Sequence, residues 1–261
     1  MTRRVLVFDT PSELATGVAE QFTAFASQWL ATNDGLMHIA LTGGRTGTAT
    51  LATIGANGSA LDWSRIHLWW GDERFLPAGD AERNDTGADE TLISRVQIPA
   101  ANVHRVAASN AGLTLDDAAA DYRAQLATFD HAGWGHPEFA LVFLGVGPDG
   151  HIASLFPHRR GINVTDVPAI AVHDSPKPPA ERVSLTRPVL NSASHVWLML
   201  TGADKAAALG LALAGASRDE VPAAGIKGRQ ETVYFVDTAA ATQVPANVTV
   251  RYSVGDRVGR D

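Results

Sequence analysis

Phe139 to Pro157, FALVFLGVGPDGHIASLFP, is the stretch from which the rest of the chain can be placed. Its first six residues, Phe139 to Leu144, form an unbroken apolar run of the length and branching expected of a strand buried on both faces of a parallel sheet. Gly145, Gly147 and Gly150 follow at once and free the backbone just past the strand's carboxyl end, where open α/β sheets bind their ligands. Asp149 and His151 are offered at that edge together, a carboxylate and an imidazole suited to proton transfer near neutral pH. Ile152 to Phe156 is expected to return to the core as a helical turn stopped by Pro157. The same residues also suit a plain connection, with Asp149 capping the next helix and His151 on the surface.

Upstream, the pattern of strand, loop and helix repeats. Val5 to Phe8 reads as a first strand, and Thr10-Pro11-Ser12-Glu13 as a capped helix start. Leu14, Val18, Phe22, Ala26, Trp29 and Leu30 then recur on one helical face. Met37 to Leu41 is a second buried strand, followed by Thr42-Gly43-Gly44-Arg45-Thr46-Gly47-Thr48 and an apolar helical segment through Leu51 and Ile54. A loop of small and hydroxyl residues between strand and helix exposes amide groups that attract a phosphate. It lacks the Gly-Lys-Ser/Thr ending of a Walker loop. A third strand, Ile66 to Trp70, runs into Asp72-Glu73-Arg74, which suits either a solvated loop or a group at the same sheet edge as the other two. Arg83-Asn84-Asp85 precedes a helix through Leu92 and Ile93, and Leu115, Ala119, Tyr122, Leu126 and Phe129 mark an amphipathic helix leading to the central strand.

Downstream, residues 158–179 read as a surface loop ending in Pro176-Lys177-Pro178-Pro179. Arg182 to Thr186 is a short strand and His195 to Thr201 a buried one. Lys205 falls in the first turn of the next helix, where a cation opposes the dipole unless an anion binds beside it; a surface lysine without a role fits equally. Val221 to Ala224 is a connection and Thr232 to Val236 the last clear strand. From Gln243 the chain turns polar, with Val248, Val250, Tyr252 and Val254 alternating as in an edge strand or a loose tail. Strands alternating with helices predict an α/β fold with a doubly wound, mainly parallel sheet.

The composition narrows the function. With 261 residues, 45% of them hydrophobic, the chain can build one large α/β domain. A formal charge of −7 argues against nucleic acid or an anionic membrane as a general partner, while leaving room for a local basic pocket. The absence of cysteine excludes disulfides, zinc–thiolate sites and thiol nucleophiles. The start, Met1-Thr2-Arg3-Arg4, has no apolar signal region, and no apolar run approaches the ~20 residues of a membrane span. A cytoplasmic protein, monomeric in the simplest case, is the expectation.

Leu41 to Thr46, Trp70 to Arg74, Arg83-Asn84-Asp85, Gly145 to Pro157, Arg182 to Thr186, and Gly202 to Lys205 together resemble the 6-phosphogluconolactonase family, in its order, over about Val5 to Thr238. The resemblance implies a single-domain, three-layer α/β fold of the glucosamine-6-phosphate deaminase/ribose-5-phosphate isomerase-like type. The domain would span residues 1–242, with 243–261 as a C-terminal tail or edge strand. It implies hydrolysis of a phosphosugar lactone in the pentose phosphate pathway, with no cofactor and no metal. Arg45 and Gly47 depart from the Ser and Pro usual in the first loop, and Gly225 from an Arg common after Pro222-Ala223-Ala224.

On this reading His151 is the general base that activates water, Asp149 orients its ring, Arg74 steadies the oxyanion or substrate hydroxyls, and Asp72 holds Arg74 or a sugar hydroxyl. The phosphate rests on Gly43, Gly44, Arg45 and Thr46, with Asn84, Arg182 and Lys205 completing the substrate site. Two other readings share the scaffold. An amino-sugar-phosphate deaminase carries a Glu in its His turn where Phe156 stands here, and a non-catalytic sugar-phosphate sensor would need an output module that the sequence does not display.

Overall fold

Val5 and Val7 face one side of the first strand and Leu6 and Phe8 the other, and all four are buried. Burial on both faces is what a parallel sheet sandwiched between helices requires. A computed structural model describes residues 2–245 and 248–252 of the chain. Its strands are β1 (Thr2–Phe8), β2 (Met37–Leu41), β3 (Ile66–Trp70), β4 (Asp72–Arg74), β5 (Phe139–Gly145), β6 (Ala169–Val172), β7 (Arg182–Leu185), β8 (His195–Leu200), β9 (Glu231–Asp237) and β10 (Val250–Arg251). Its α-helices are α1 (Pro11–Thr32), α2 (Gly44–Asn57), α3 (Asn84–Thr91), α4 (Leu115–Ala127), α5 (Arg187–Ser192) and α6 (Ala206–Leu213).

Seven strands form one sheet in the order β10-β1-β9-β8-β5-β2-β3, every neighbouring pair parallel. On one face lie Leu14, Val18, Phe22 and Ala26 of α1, Leu51 and Ile54 of α2, and Ala88 of α3. On the other lie Leu115, Ala119, Tyr122 and Leu126 of α4 and Leu209 of α6. These helices and the sheet make the three layers, and the fold is the α/β type expected. The start of α1 follows local chemistry: Thr10 Oγ1 accepts from the Glu13 amide at 3.1 Å, and Pro11 needs no amide partner in the first turn. Because all strands of the main sheet point the same way, the loops after β2, β3 and β5 share one edge.

Three local expectations are corrected. Asp72–Arg74 is not a solvated loop but a strand, and the 158–179 segment contains β6; with Arg182–Leu185 they form a second, antiparallel sheet in the order β4-β7-β6. In β4 the polar side chains hide the strand pattern because they turn toward buried partners, with Glu73 fully enclosed. The helical turn expected at Ile152 to Phe156 is instead a tight reversal, with Leu155 donating to the Ile152 carbonyl at 2.9 Å and Ala153 at φ 47°. The turn is held open by an isolated bridge from Ile152 back to Val146, which a helix could not make. At the far edge, β10 pairs with β1 at Leu6–Val250 and Val7–Arg251, while Val254 lies outside the described residues.

Candidate active site

The carboxyl ends of β2, β3 and β5 bring the quoted loops around one cleft of about 230 Å³. Thr42 ties two of them together, its hydroxyl accepting from the Gly145 amide at 3.2 Å. After β5 the chain reverses through Gly147, whose amide donates to the His151 carbonyl at 2.9 Å. A Cβ on Gly147 would sit 1.9 Å from His151 Nδ1, so only glycine lets the ring fold back over this turn.

His151 Nδ1 lies 2.5 Å from Asp149 Oδ1. With Asp149 ionised, Nδ1 carries the proton and Nε2 is left as an acceptor. Burial opposes the charge on Asp149, but the hydrogen bond and charge of His151 and then those of Lys177 outweigh it, holding the carboxyl well below its usual range. Lys177 Nζ is 3.2 Å from Asp149 Oδ1 and 3.2 Å from His151 Nδ1. Below the imidazole lies Phe156, ring centroids 4.6 Å apart. The face of His151 away from solvent therefore meets an apolar ring, not a second acid.

Lys177 is the residue that sequence reasoning left in a surface loop. Its position is fixed by Arg182, whose guanidinium donates to the carbonyls of Lys177, Pro178 and Pro179, each at 3.1 Å. Arg182 is itself buried; desolvation lowers its pKa despite Asp72 and Glu73. Asp72 accepts from the Ser154 hydroxyl at 2.7 Å and faces Arg182 Nη1 at 3.8 Å. Its carboxylate thus turns to Arg182 and not to Arg74. The signal for Lys177 was present: a lone cation in Pro176-Lys177-Pro178-Pro179, where three prolines restrict the backbone around it.

Arg74 reaches the cleft from β4. Its Nη1 donates to the Asn84 side-chain oxygen at 2.9 Å and to the Glu82 carbonyl at 2.5 Å, while its Nε is buried without a partner. Asn84 is held in turn by the Asp72 carbonyl at 2.8 Å. Behind them, Glu73 accepts from the Asn84 and Asp85 amides at 2.7 and 2.8 Å, and Arg83 pairs with Asp85 in two bonds of 2.8 Å. Burial and repulsion from Asp85 push the Glu73 carboxyl up, against Arg83 and the two amides.

Gly43 and Gly44 line the cleft, and so does Lys205, whose Nζ pairs with Asp204 at 3.0 Å. Thr46 and Arg45 are placed otherwise. Thr46 Oγ1 bonds Thr201 Oγ1 at 2.8 Å, and Arg45 is exposed, its charge acting on Asp204 behind that of Lys205. Gly225 belongs to another cleft altogether. The candidate cleft thus gathers four cations, Arg74, Lys177, Arg182 and Lys205, around Asp72 and the His151–Asp149 pair. In an acidic chain, that local excess selects an anion. Among the described residues no group of three or more His, Asp or Glu side chains is arranged to hold a metal ion.

Comparison with known proteins agrees with this geometry. The family model for glucosamine-6-phosphate isomerases/6-phosphogluconolactonase matches residues 9–235. A 6-phosphogluconolactonase of Streptomyces coelicolor is 46% identical over 222 residues, covering 82% of this chain and 84% of its own. One from Mycobacterium tuberculosis is 43% identical over 210 residues, covering 80% and 85%. The crystal structure of a 6-phosphogluconolactonase from Thermotoga maritima superimposes with a TM-score of 0.79 at 28% identity, over 91% of this chain and all of that one. With its fold, its cleft and a family match over most of its length in agreement, the chain belongs to the family of glucosamine-6-phosphate isomerases and 6-phosphogluconolactonases.

Proposed function

We propose that the chain hydrolyses 6-phospho-D-glucono-1,5-lactone to 6-phosphogluconate, the lactonase step of the oxidative pentose phosphate pathway, in the cytoplasm. The observation that carries this reading is the pair His151–Asp149, 2.5 Å apart, in a cleft whose other groups are mainly cationic. Nε2 of His151 takes a proton from water as the oxygen attacks the lactone carbonyl. Asp149 fixes the tautomer that leaves Nε2 free and stabilises the imidazolium formed. The ring C–O bond then breaks, and the imidazolium returns its proton to the departing ring oxygen. Arg74, held by Asn84, is the donor assigned to the developing oxyanion. Gly43, Gly44 and Lys205 hold the phosphate at the other end, so that its binding energy positions the carbonyl, while Arg182, behind Lys177, adds positive charge to the cleft. Arg45 and Thr46 act, on this reading, through the first turn of α2 and not by direct contact.

Phe156 favours hydrolysis over the deaminase reaction. It is 1% exposed and packed on the His151 ring, and it cannot exchange a proton with a sugar. The test is loss of 6-phosphogluconolactone above its spontaneous rate, beside the unphosphorylated lactone and with ammonia release from glucosamine 6-phosphate as the counter-assay. Preference for the phosphorylated lactone without ammonia supports the reading. A His151→Asn enzyme that keeps most of the wild-type rate removes His151 as the base.

A further inference from the structure

A second cationic cleft, of about 650 Å³, opens beside the amino-terminal ends of β1 and β9, where Arg3 pairs in register with Thr232. The catalytic cleft lies at the carboxyl ends of the strands, so the two open at opposite ends of the parallel sheet. Arg3, Arg187, Arg218 and Lys227 line the second cleft against a single carboxylate, Asp219. That carboxylate already accepts from Asn163 at 2.8 Å. None of the four cations forms an ion pair among the described residues. In a chain of net charge −7, four unpaired cations sharing one concavity run against the average composition of the surface.

The packing holds this arrangement in place. Arg187 is half-buried, and its Nε is enclosed with no hydrogen-bond partner. Burial and then the neighbouring charge of Arg218 lower its pKa, as expected where a second cation stands close by. Gly225 makes the approach possible: a Cβ there would lie 2.7 Å from Arg218 Cβ and 3.5 Å from Arg187 Cδ. Asn191 bridges the Gly225 carbonyl and the Lys227 amide, each at 3.0 Å, fixing the floor. Arg218 donates through Nε to Asn163 Oδ1 at 3.3 Å, which leaves its two Nη groups, like the guanidinium of Arg187, to match the oxygens of a phosphoryl group, and exposed Ser217 adds a hydroxyl at the rim.

We propose that this cleft binds a phosphoryl group of a small molecule, with Arg187 and Arg218 as its principal ligands. The inference is independent of the catalytic assignment, since no residue is shared between the two clefts. Crystals soaked in tungstate, a heavy analogue of phosphate, are expected to show an anomalous peak between Arg187 and Arg218 that is missing from Arg218→Glu crystals. Calorimetric titration in solution, with pyrophosphate and ribose 5-phosphate in separate arms, should show a site that Arg218→Glu weakens by about tenfold or more. Stronger binding of the first identifies a polyphosphate, and of the second a sugar phosphate. Arg218 is exposed, so its replacement leaves the fold and the rate of lactone hydrolysis intact; Arg187→Gln provides an independent second variant. No peak beside Arg187, or a peak in crystals with identical solution affinities for wild type and Arg218→Glu, which marks an adventitious ion only, overturns the proposal.

Discussion

Lys177 Nζ lies 3.2 Å from the same Asp149 oxygen that receives His151 Nδ1. A single carboxylate oxygen therefore serves both a cation and the imidazole proposed as the base, and the lysine helps to keep that carboxylate ionised. Asp149→Asn preserves the shape but offers the imidazole an amide, allowing the tautomer with the proton on Nε2, which cannot accept from water. The expected result is a fall in kcat of ~10²–10⁴-fold with little change in KM. Lys177→Met leaves the carboxylate in place without its cation, and should lower kcat by less than Asp149→Asn. Equal losses in the two variants would assign Lys177 a direct part in the chemistry.

At the other end of the cleft the expected split is reversed. Among the described residues Lys205 pairs only with the exposed Asp204, a partner that a substrate phosphate could displace. Lys205→Ala should raise KM for the phosphorylated lactone by roughly 10-fold or more, the worth of one charge-assisted hydrogen bond. The unphosphorylated lactone should be hydrolysed by variant and wild type alike. Steady-state kinetics on both substrates decide this, and an unchanged KM removes Lys205 from the phosphate site.

What the sequence made legible follows periodicity and turn chemistry. The apolar run Phe139 to Leu144, the glycines after it and the pairing of Asp149 with His151 can all be read from neighbours in the chain. The second sheet could not, because Asp72, Glu73 and Arg74 look like a solvated loop until β7 and Ser154 supply their partners from more than 80 residues away. The prolines around Lys177 mark a restricted backbone, but where that backbone puts the lysine depends on carbonyl groups gripped by Arg182, a tertiary contact that neighbours in the chain do not reveal. Arg45, in turn, looked like a phosphate ligand because its loop was read without knowing that α2 begins at Gly44, which carries the side chain to the exposed face.

The support beneath Arg74 and Asn84 should be sensitive to a single charge. Arg83 has a side chain only 1% exposed, bonds Asp85 twice and sits 3.9 Å from Glu73, itself fully buried. Arg83→Met keeps much of the volume but leaves two buried carboxylates facing each other. Loss of one partner from such a buried group costs about 3–5 kcal/mol, far above a surface substitution. Urea denaturation at pH 7 checks this, and a loss below 1 kcal/mol would show the carboxylates to be relieved by protonation or water.

Acid should weaken the fold through histidines remote from the cleft. His38, near the amino end of β2, is 7% exposed and accepts from the Trp69 indole at 3.0 Å. Burial, then the charges of His67 and His104, depresses its pKa from 6.5 to about 3, and burial with His67 lowers His104 to about 4. Both values lie below those of the unfolded chain, so between pH 6.5 and about 4 the unfolded state binds more protons and stability falls as pH falls. Once the unfolded imidazole is protonated, each such histidine contributes a slope of up to about 1.4 kcal/mol per pH unit. The contribution is complete above pH 6.5 and lost progressively on the acid side. His38→Asn removes one titrating group while leaving an acceptor near the indole. Urea midpoints measured at pH 7 and pH 4.5 should therefore lie closer together in His38→Asn than in wild type, even if the variant is less stable at pH 7. An unchanged interval would mean that the acid sensitivity resides elsewhere.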